Sequence, residues 1–130
     1  MKAVIWIGGS QKDLRNLPKA VRQEVGFAIH MAQVGAKAIH ATPMLGFNAT
    51  VLEMVTNHHG NTFRAVYTVK LANAVYVLHV FQKKSKKGVA TPKPDMDIIR
   101  QRLREALTDH KEHIEIKKEQ LNERGTRRQS

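Results

Sequence analysis

Residues 51–81, "VLEMVTNHHGNTFRAVYTVKLANAVYVLHVF", decide the fold. Apolar positions recur at every second residue in three runs, "VLEMVTN" (51–57), "TFRAVYTV" (62–69) and "AVYVLHVF" (74–81), and a period of two belongs to strands. The interruptions "HHGN" and "KLAN" are short and rich in turn formers, so the runs read as an antiparallel meander joined by hairpins. Alternation sorts the side chains onto two faces. One face takes Leu52, Met54, Phe63, Ala65, Tyr67, Tyr76, Leu78 and Val80 and reads as a core. The other carries one ionisable residue per strand, Glu53, Arg64 and His79, among Val51, Val55, Val66, Val75, Val77 and Phe81. That mixture fits a shallow site or a covered interface better than a plain solvated surface. Each member also has a purely structural use: Glu53 and Arg64 as a cross-strand ion pair worth ~0.2–1 kcal/mol if exposed, and His79 as a satisfied buried imidazole.

Toward the N-terminus, "AVIWI" (3–7) is a short β-rich run closed by Gly8 and Gly9, a first strand ending in a turn. Ser10 with Asp13 three positions on resembles a capping box. Leu14, Leu17, Val21, Val25, Ile29 and Ala32 recur at helical spacing, with Pro18 opening a second helix and Gly35 closing it. Residues 36–49, with Pro43 and Gly46, show no period and read as loop. Toward the C-terminus, Thr91 can cap a helix whose first turn tolerates Pro92 and Pro94, and Met96, Ile99, Leu103, Leu107 and Ile114 give it an apolar stripe. The final "KKEQLNERGTRRQS" is expected to fray or to form a tail.

At 130 residues the chain reads as one domain with a modest core. It holds 22 Lys and Arg against 11 Asp and Glu, a net charge of +11, which favours a polyanion partner, chiefly nucleic acid, over a membrane surface. It has no cysteine, so disulfides and thiolate metal sites are excluded, and a reducing cytoplasm is the natural compartment. The apolar start is too short for a signal-peptide core, and no run of 18 apolar residues follows.

The strand that bears His79 leads directly into Lys83, Lys84, Lys86 and Lys87, with Lys93 beyond and no acidic residue before Asp95. Such a run is usually a solvated loop. Here it would hold a phosphate backbone beside a group that exchanges protons near neutral pH. RNA suits that pairing: its 2′-hydroxyl attacks the adjacent phosphate without a metal once a base takes its proton, a cation steadies the charge and an acid protonates the leaving oxygen. Other motifs are weaker. His58 and His59 read as turn residues pointing apart, Gly8-Gly9-Ser10 lacks the lysine of a P-loop, and no G-x-S-x-G elbow is present.

The segments "DLRNLPKAVRQEVGFAI", "LGFNATVLEMV" and above all "FRAVYTVKLANAVYVLHVFQKKSKKGVATPKPDMDIIRQRL" resemble the phage Gp49-like, HigB-type branch of the RelE/ParE toxin superfamily. The resemblance implies an α+β, RelE-like compact domain over residues 1–110, with an N-terminal strand and two helices packed on an antiparallel sheet and a C-terminal helix. Residues 111–130 would be a charged helical extension or tail. It implies a cytoplasmic toxin of a type II toxin-antitoxin system, a ribosome-dependent endoribonuclease that cuts translated mRNA without metal or cofactor. The partners would be mRNA on the ribosome and a helix-turn-helix antitoxin, with operator DNA reached only through the antitoxin. Carried over position by position, Arg64 would contact the scissile phosphate, His79 would transfer protons, and Lys84 would join them as a catalytic cation. Phe81, Lys83, Lys86, Lys87 and Lys93 would hold RNA, Glu53 would orient Arg64, and Tyr67 would be structural. Val55 departs from the wider superfamily, in which many members carry a basic residue there. A DNA gyrase inhibitor of the ParE kind and a non-catalytic RNA-binding module are the alternatives on the same fold.

Overall fold

The computed structural model describes residues 1–36, 41–47, 51–69, 71, 74–83 and 90–129, and the side chains of these except at 115, 117 and 123–129. The elements follow the chain as β1 (Ala3–Trp6), α1 (Ser10–Arg15), α2 (Lys19–Gln33), β2 (Ala41–Pro43), β3 (Val51–His58), β4 (Asn61–Thr68), β5 (Ala74–Lys83) and α3 (Lys93–Gln129). The five strands form one sheet in the order β1-β5-β4-β3-β2. The meander β3-β4-β5 is antiparallel, as its periodicity predicts, while β1 adds parallel to β5 on the far edge.

Two hairpin residues show why β3 and β4 meet where they do. His59 and Gly60 have φ of 50° and 79°, and a two-residue loop with both φ positive matches the twist of the flanking strands. The rings of His58 and His59 do not point apart as expected; they meet edge to face with centroids 4.1 Å apart.

The sheet is covered on both faces. On one, Val21, Val25, Ala28, Ile29 and Ala32 of α2 pack on Leu52, Met54, Phe63, Ala65, Tyr67, Val75, Val77 and Val80. On the other, Ile99, Leu103 and Ala106 of α3 pack on Val51, Val66, Tyr76, Leu78 and Phe81. Strict alternation therefore fails on β5, where Tyr76 and Leu78 exchange faces with Val75 and Val77. The cause is a β-bulge: Val66 lies opposite His79 and Tyr67 opposite Val77, which leaves Leu78 as an extra residue and reverses the phase of everything before it.

Two further expectations are corrected, and the C-terminal end is helical. Residues 36–49 are not all loop, since Ala41–Pro43 pairs with Leu52–Met54 as an edge strand, a position that tolerates a proline. Ser10 does not cap α1; Gly9 occupies the N-cap, and the buried Ser10 hydroxyl donates to the Val77 carbonyl oxygen at 3.1 Å. The C-terminal stretch continues α3 to Gln129, a helix of 37 residues and so about 55 Å long at 1.5 Å per residue. Its docked half is pinned by Tyr76, whose hydroxyl donates to Asp109 at 2.7 Å.

Candidate active site

Strand pairing sets the site out in two rows on the α3 face. Glu53, Val66 and His79 lie opposite one another across β3, β4 and β5, and Val55, Arg64 and Phe81 form the next row. The Arg64 Nη1 donates to Glu53 Oε1 at 2.6 Å, so the diagonal ion pair exists, and it is buried rather than exposed. The other carboxylate oxygen of Glu53 accepts from the Thr91 hydroxyl at 3.2 Å. The His79 ring stacks on Phe81, centroids 4.6 Å apart and planes 16° off parallel.

The imidazole is held at both nitrogens by α3. His79 Nε2 lies 2.8 Å from Asp95 Oδ1. Arg102 Nη1 reaches both the Leu78 carbonyl oxygen at 2.9 Å and His79 Nδ1 at 3.3 Å. A guanidinium only donates, so Nδ1 accepts, the ring proton sits on Nε2, and Nε2–H donates to the Asp95 carboxylate. Burial holds the His79 pKa below the ordinary imidazole value, and the Arg102 charge lowers it further, while Asp95 and, more weakly, Asp13 pull it back up. The bulge at Leu78 serves this geometry, since it turns Leu78 and His79 to the same side of the sheet and offers the Leu78 carbonyl to Arg102.

Gly8 provides room for Arg102. Its φ is +57°, and a Cβ built there would lie 2.8 Å from Arg102 Nε. The Gly-Gly turn after β1 is thus the seat of a site residue and not a phosphate loop.

The structure brings together Arg64, His79, Glu53 and Phe81 of the sequence-derived set. Lys83 ends β5 opposite Thr62 and is buried, Lys93 is exposed at the start of α3, and Lys84, Lys86 and Lys87 lie outside the described residues. Tyr67 is buried in the α2-side core, where burial raises its pKa. Sequence reasoning missed Thr91 as a partner of Glu53, having read it as a cap, and missed Asp95 and Arg102 altogether. The available signal was their spacing, since residues seven apart lie on one face of a helix. His79 is 5% and Arg64 6% exposed, and among the described residues Asp95 and Arg102 of α3 bear on the His79 ring.

Residues 12–104 match the sequence model of the phage-derived Gp49-like protein family (DUF891), the family of HigB-like, RelE-type toxins. The chain belongs to this family. The matched span runs from α1 through Arg104 on α3 and so contains Glu53, Arg64, His79, Asp95 and Arg102. No curated protein matches this Gp49-like chain. Among its described residues no helix is long and apolar enough to cross a membrane, and no three His, Asp or Glu side chains converge as a metal site.

Proposed function

We propose that this Gp49-like protein is the toxin of a type II toxin-antitoxin pair and acts as a ribosome-dependent, metal-independent endoribonuclease on translated mRNA. The observation that carries the reading is the placement of a buried arginine and a buried, tautomer-defined imidazole on adjacent rows of one sheet face, inside the span that matches a toxin family. The RNA 2′-oxygen attacks the adjacent phosphorus, the bond from phosphorus to the 5′-oxygen breaks, and the products are a 2′,3′-cyclic phosphate and a 5′-hydroxyl. One proton leaves the 2′-hydroxyl and one reaches the departing 5′-oxygen. His79 transfers a proton, Arg64 steadies charge on the non-bridging oxygens, and Lys84 adds a second cation. Lys83, Lys86, Lys87 and Lys93 hold the RNA backbone, and Phe81 supports the His79 ring.

The burial of the site has a consequence for this chemistry. Arg64 must exchange Glu53 for phosphate, and a substrate that meets His79 at Nε2 must displace the Asp95 carboxylate. A helix-turn-helix antitoxin would neutralise the toxin, with operator DNA contacted through that partner alone, and the compartment would be the cytoplasm.

A translating bacterial extract programmed with one labelled message tests the reading. The expected result is a message cut only while ribosomes translate it, with cutting lost in Arg64→Ala. An intact message together with blocked DNA supercoiling would replace the reading with gyrase inhibition. An intact message and unimpaired gyrase, with RNA still bound, would leave a binding module.

A further inference from the structure

Ala106 is the last buried residue of α3 among the described side chains, yet the apolar stripe of the helix continues past it. Leu107, Ile114 and Leu121 recur at intervals of seven and are 41%, 39% and 57% exposed. Ile99 and Leu103, earlier on the same helix, are buried on the sheet. The distal stripe has no such cover among the described residues. A seven-residue repeat drifts only about 20° per heptad on a straight helix, so a second helix wound gently around the first keeps contact with it over the four turns from Leu107 to Leu121.

The charges beside the stripe say what that second helix carries. Arg104, Lys111 and Lys118 each precede one of the three apolar residues by three positions, so they form a basic row along one flank. His110 follows Leu107 by three on the other flank. Of the acidic residues, Glu105, Asp109, Glu112 and Glu119 run along a different face, with Asp109 already engaged by Tyr76 and His113, while Glu115 alone falls between Lys111 and Lys118 at helical spacing. A second copy of the chain fits poorly. An antiparallel copy sets the basic row against itself, and a parallel copy sets it against Ala106, His113 and Gln120, none of them acidic. Nucleic acid would use the basic row but leave the apolar seam in water.

We propose that the distal half of α3 is a docking surface for an amphipathic helix of a partner protein, one that carries apolar residues in a heptad seam and Asp or Glu beside it. This inference is independent of any nuclease activity. It rests on the seam, its exposure and the sign of its flank.

The test uses the full chain and a synthetic three-heptad peptide with leucines in the seam and glutamates flanking it, labelled and followed by fluorescence anisotropy. Controls are the same peptide with lysine for glutamate, and a mixed-sequence single-stranded RNA. The acidic peptide is expected to bind and the lysine peptide not. The pair Ile114→Asp and Leu121→Asp should weaken binding at least about tenfold, the scale of losing a buried apolar side chain or two. The pair Lys111→Glu and Lys118→Glu should reverse the preference between the two peptides. All four positions lie beyond the last buried residue of α3, so an unchanged urea transition is the check that each variant still folds. Three results would overturn the proposal: no binding of the acidic peptide, equal binding of both peptides, or a dimer in sedimentation that Ile114→Asp dissolves. RNA that competes for the stripe and is indifferent to the Ile114 and Leu121 changes would also overturn it, in favour of a nucleic-acid surface.

Discussion

Arg102 has only donors to offer, and that fact fixes the state of His79. While its Nη1 points at Nδ1, the ring proton must sit on Nε2 against Asp95. Arg102→Met keeps an unbranched apolar stem and removes the guanidinium donors, so it should release this preference. Imidazole nitrogen chemical shifts of His79 should show one tautomer in the wild type and a mixture in the variant; a mixture in both would contradict the geometry. Gly8→Ala attacks the same point from the other side, because the new Cβ would lie 2.8 Å from Arg102 Nε on a backbone with φ of +57°. It should cost about 1–2 kcal/mol in a urea transition and disturb the tautomer as Arg102→Met does. Burial holds the His79 pKa below 6.5, so the unfolded chain binds this proton first as pH falls. The contribution of His79 to stability is therefore intact above the unfolded value and is lost as pH drops through it toward the folded one. Between about pH 7 and about pH 5 the melting temperature of the wild type should fall more steeply than that of His79→Asn. Parallel profiles would show that His79 does not titrate with folding. Arg64, His79 and Glu53 were legible because a strand alternates and each strand carried one ionisable residue. Asp95 and Arg102 were not, because their partner is brought to them by tertiary packing, and a spacing of seven marks a shared helix face without marking what that face meets.

At the scale of elements, the period of two found β3, β4 and β5, and the spacing of Val21, Val25 and Ile29 found α2. The periodicity could not find the bulge. One extra residue on β5 reverses the phase of all that precedes it, and an unbroken apolar run such as "AVYVL" carries no polar residue to betray the reversal. Residues 41–43 escaped for a related reason, since a three-residue edge strand is too short to show a period. The C-terminal stretch looked like a tail because Leu121 is its one large apolar residue, yet a helix can continue on propensity once its first turns are docked. Docking ends near Asp109, so a chain cut after Glu112 keeps every buried contact of α3 described above. Such a truncation should cost less than about 1 kcal/mol in urea, a value typical of changes away from buried features. Collapse of the transition would mean that the distal helix stabilises the domain itself. By contrast, Ile99→Ala empties a fully buried position under α3 and should cost about 2–5 kcal/mol.

On the scale of the whole molecule, the sheet is a partition. The face under α2 is closed by aliphatic and aromatic packing, while the face under α3 mixes an apolar cluster with Glu53, Arg64 and His79 on two adjacent rows. Charge is distributed to match: the chain carries a net +11, but the two cations at the centre of the site are already engaged, Arg64 by Glu53 and Arg102 by the Leu78 carbonyl and His79. On the proposed function, a polyanion is attracted by the surface first and must then compete with Glu53 for Arg64. The central claim is that this face cuts translated RNA. The most direct measurement is to induce the chain in bacteria without an antitoxin and map the 5′ ends of cellular transcripts, with Arg64→Ala and His79→Ala as controls whose folding is checked by their urea transitions. New 5′-hydroxyl ends confined to translated regions, and absent from both variants, are expected. Arrested growth with uncut transcripts, or cuts that persist in both variants, would contradict that claim.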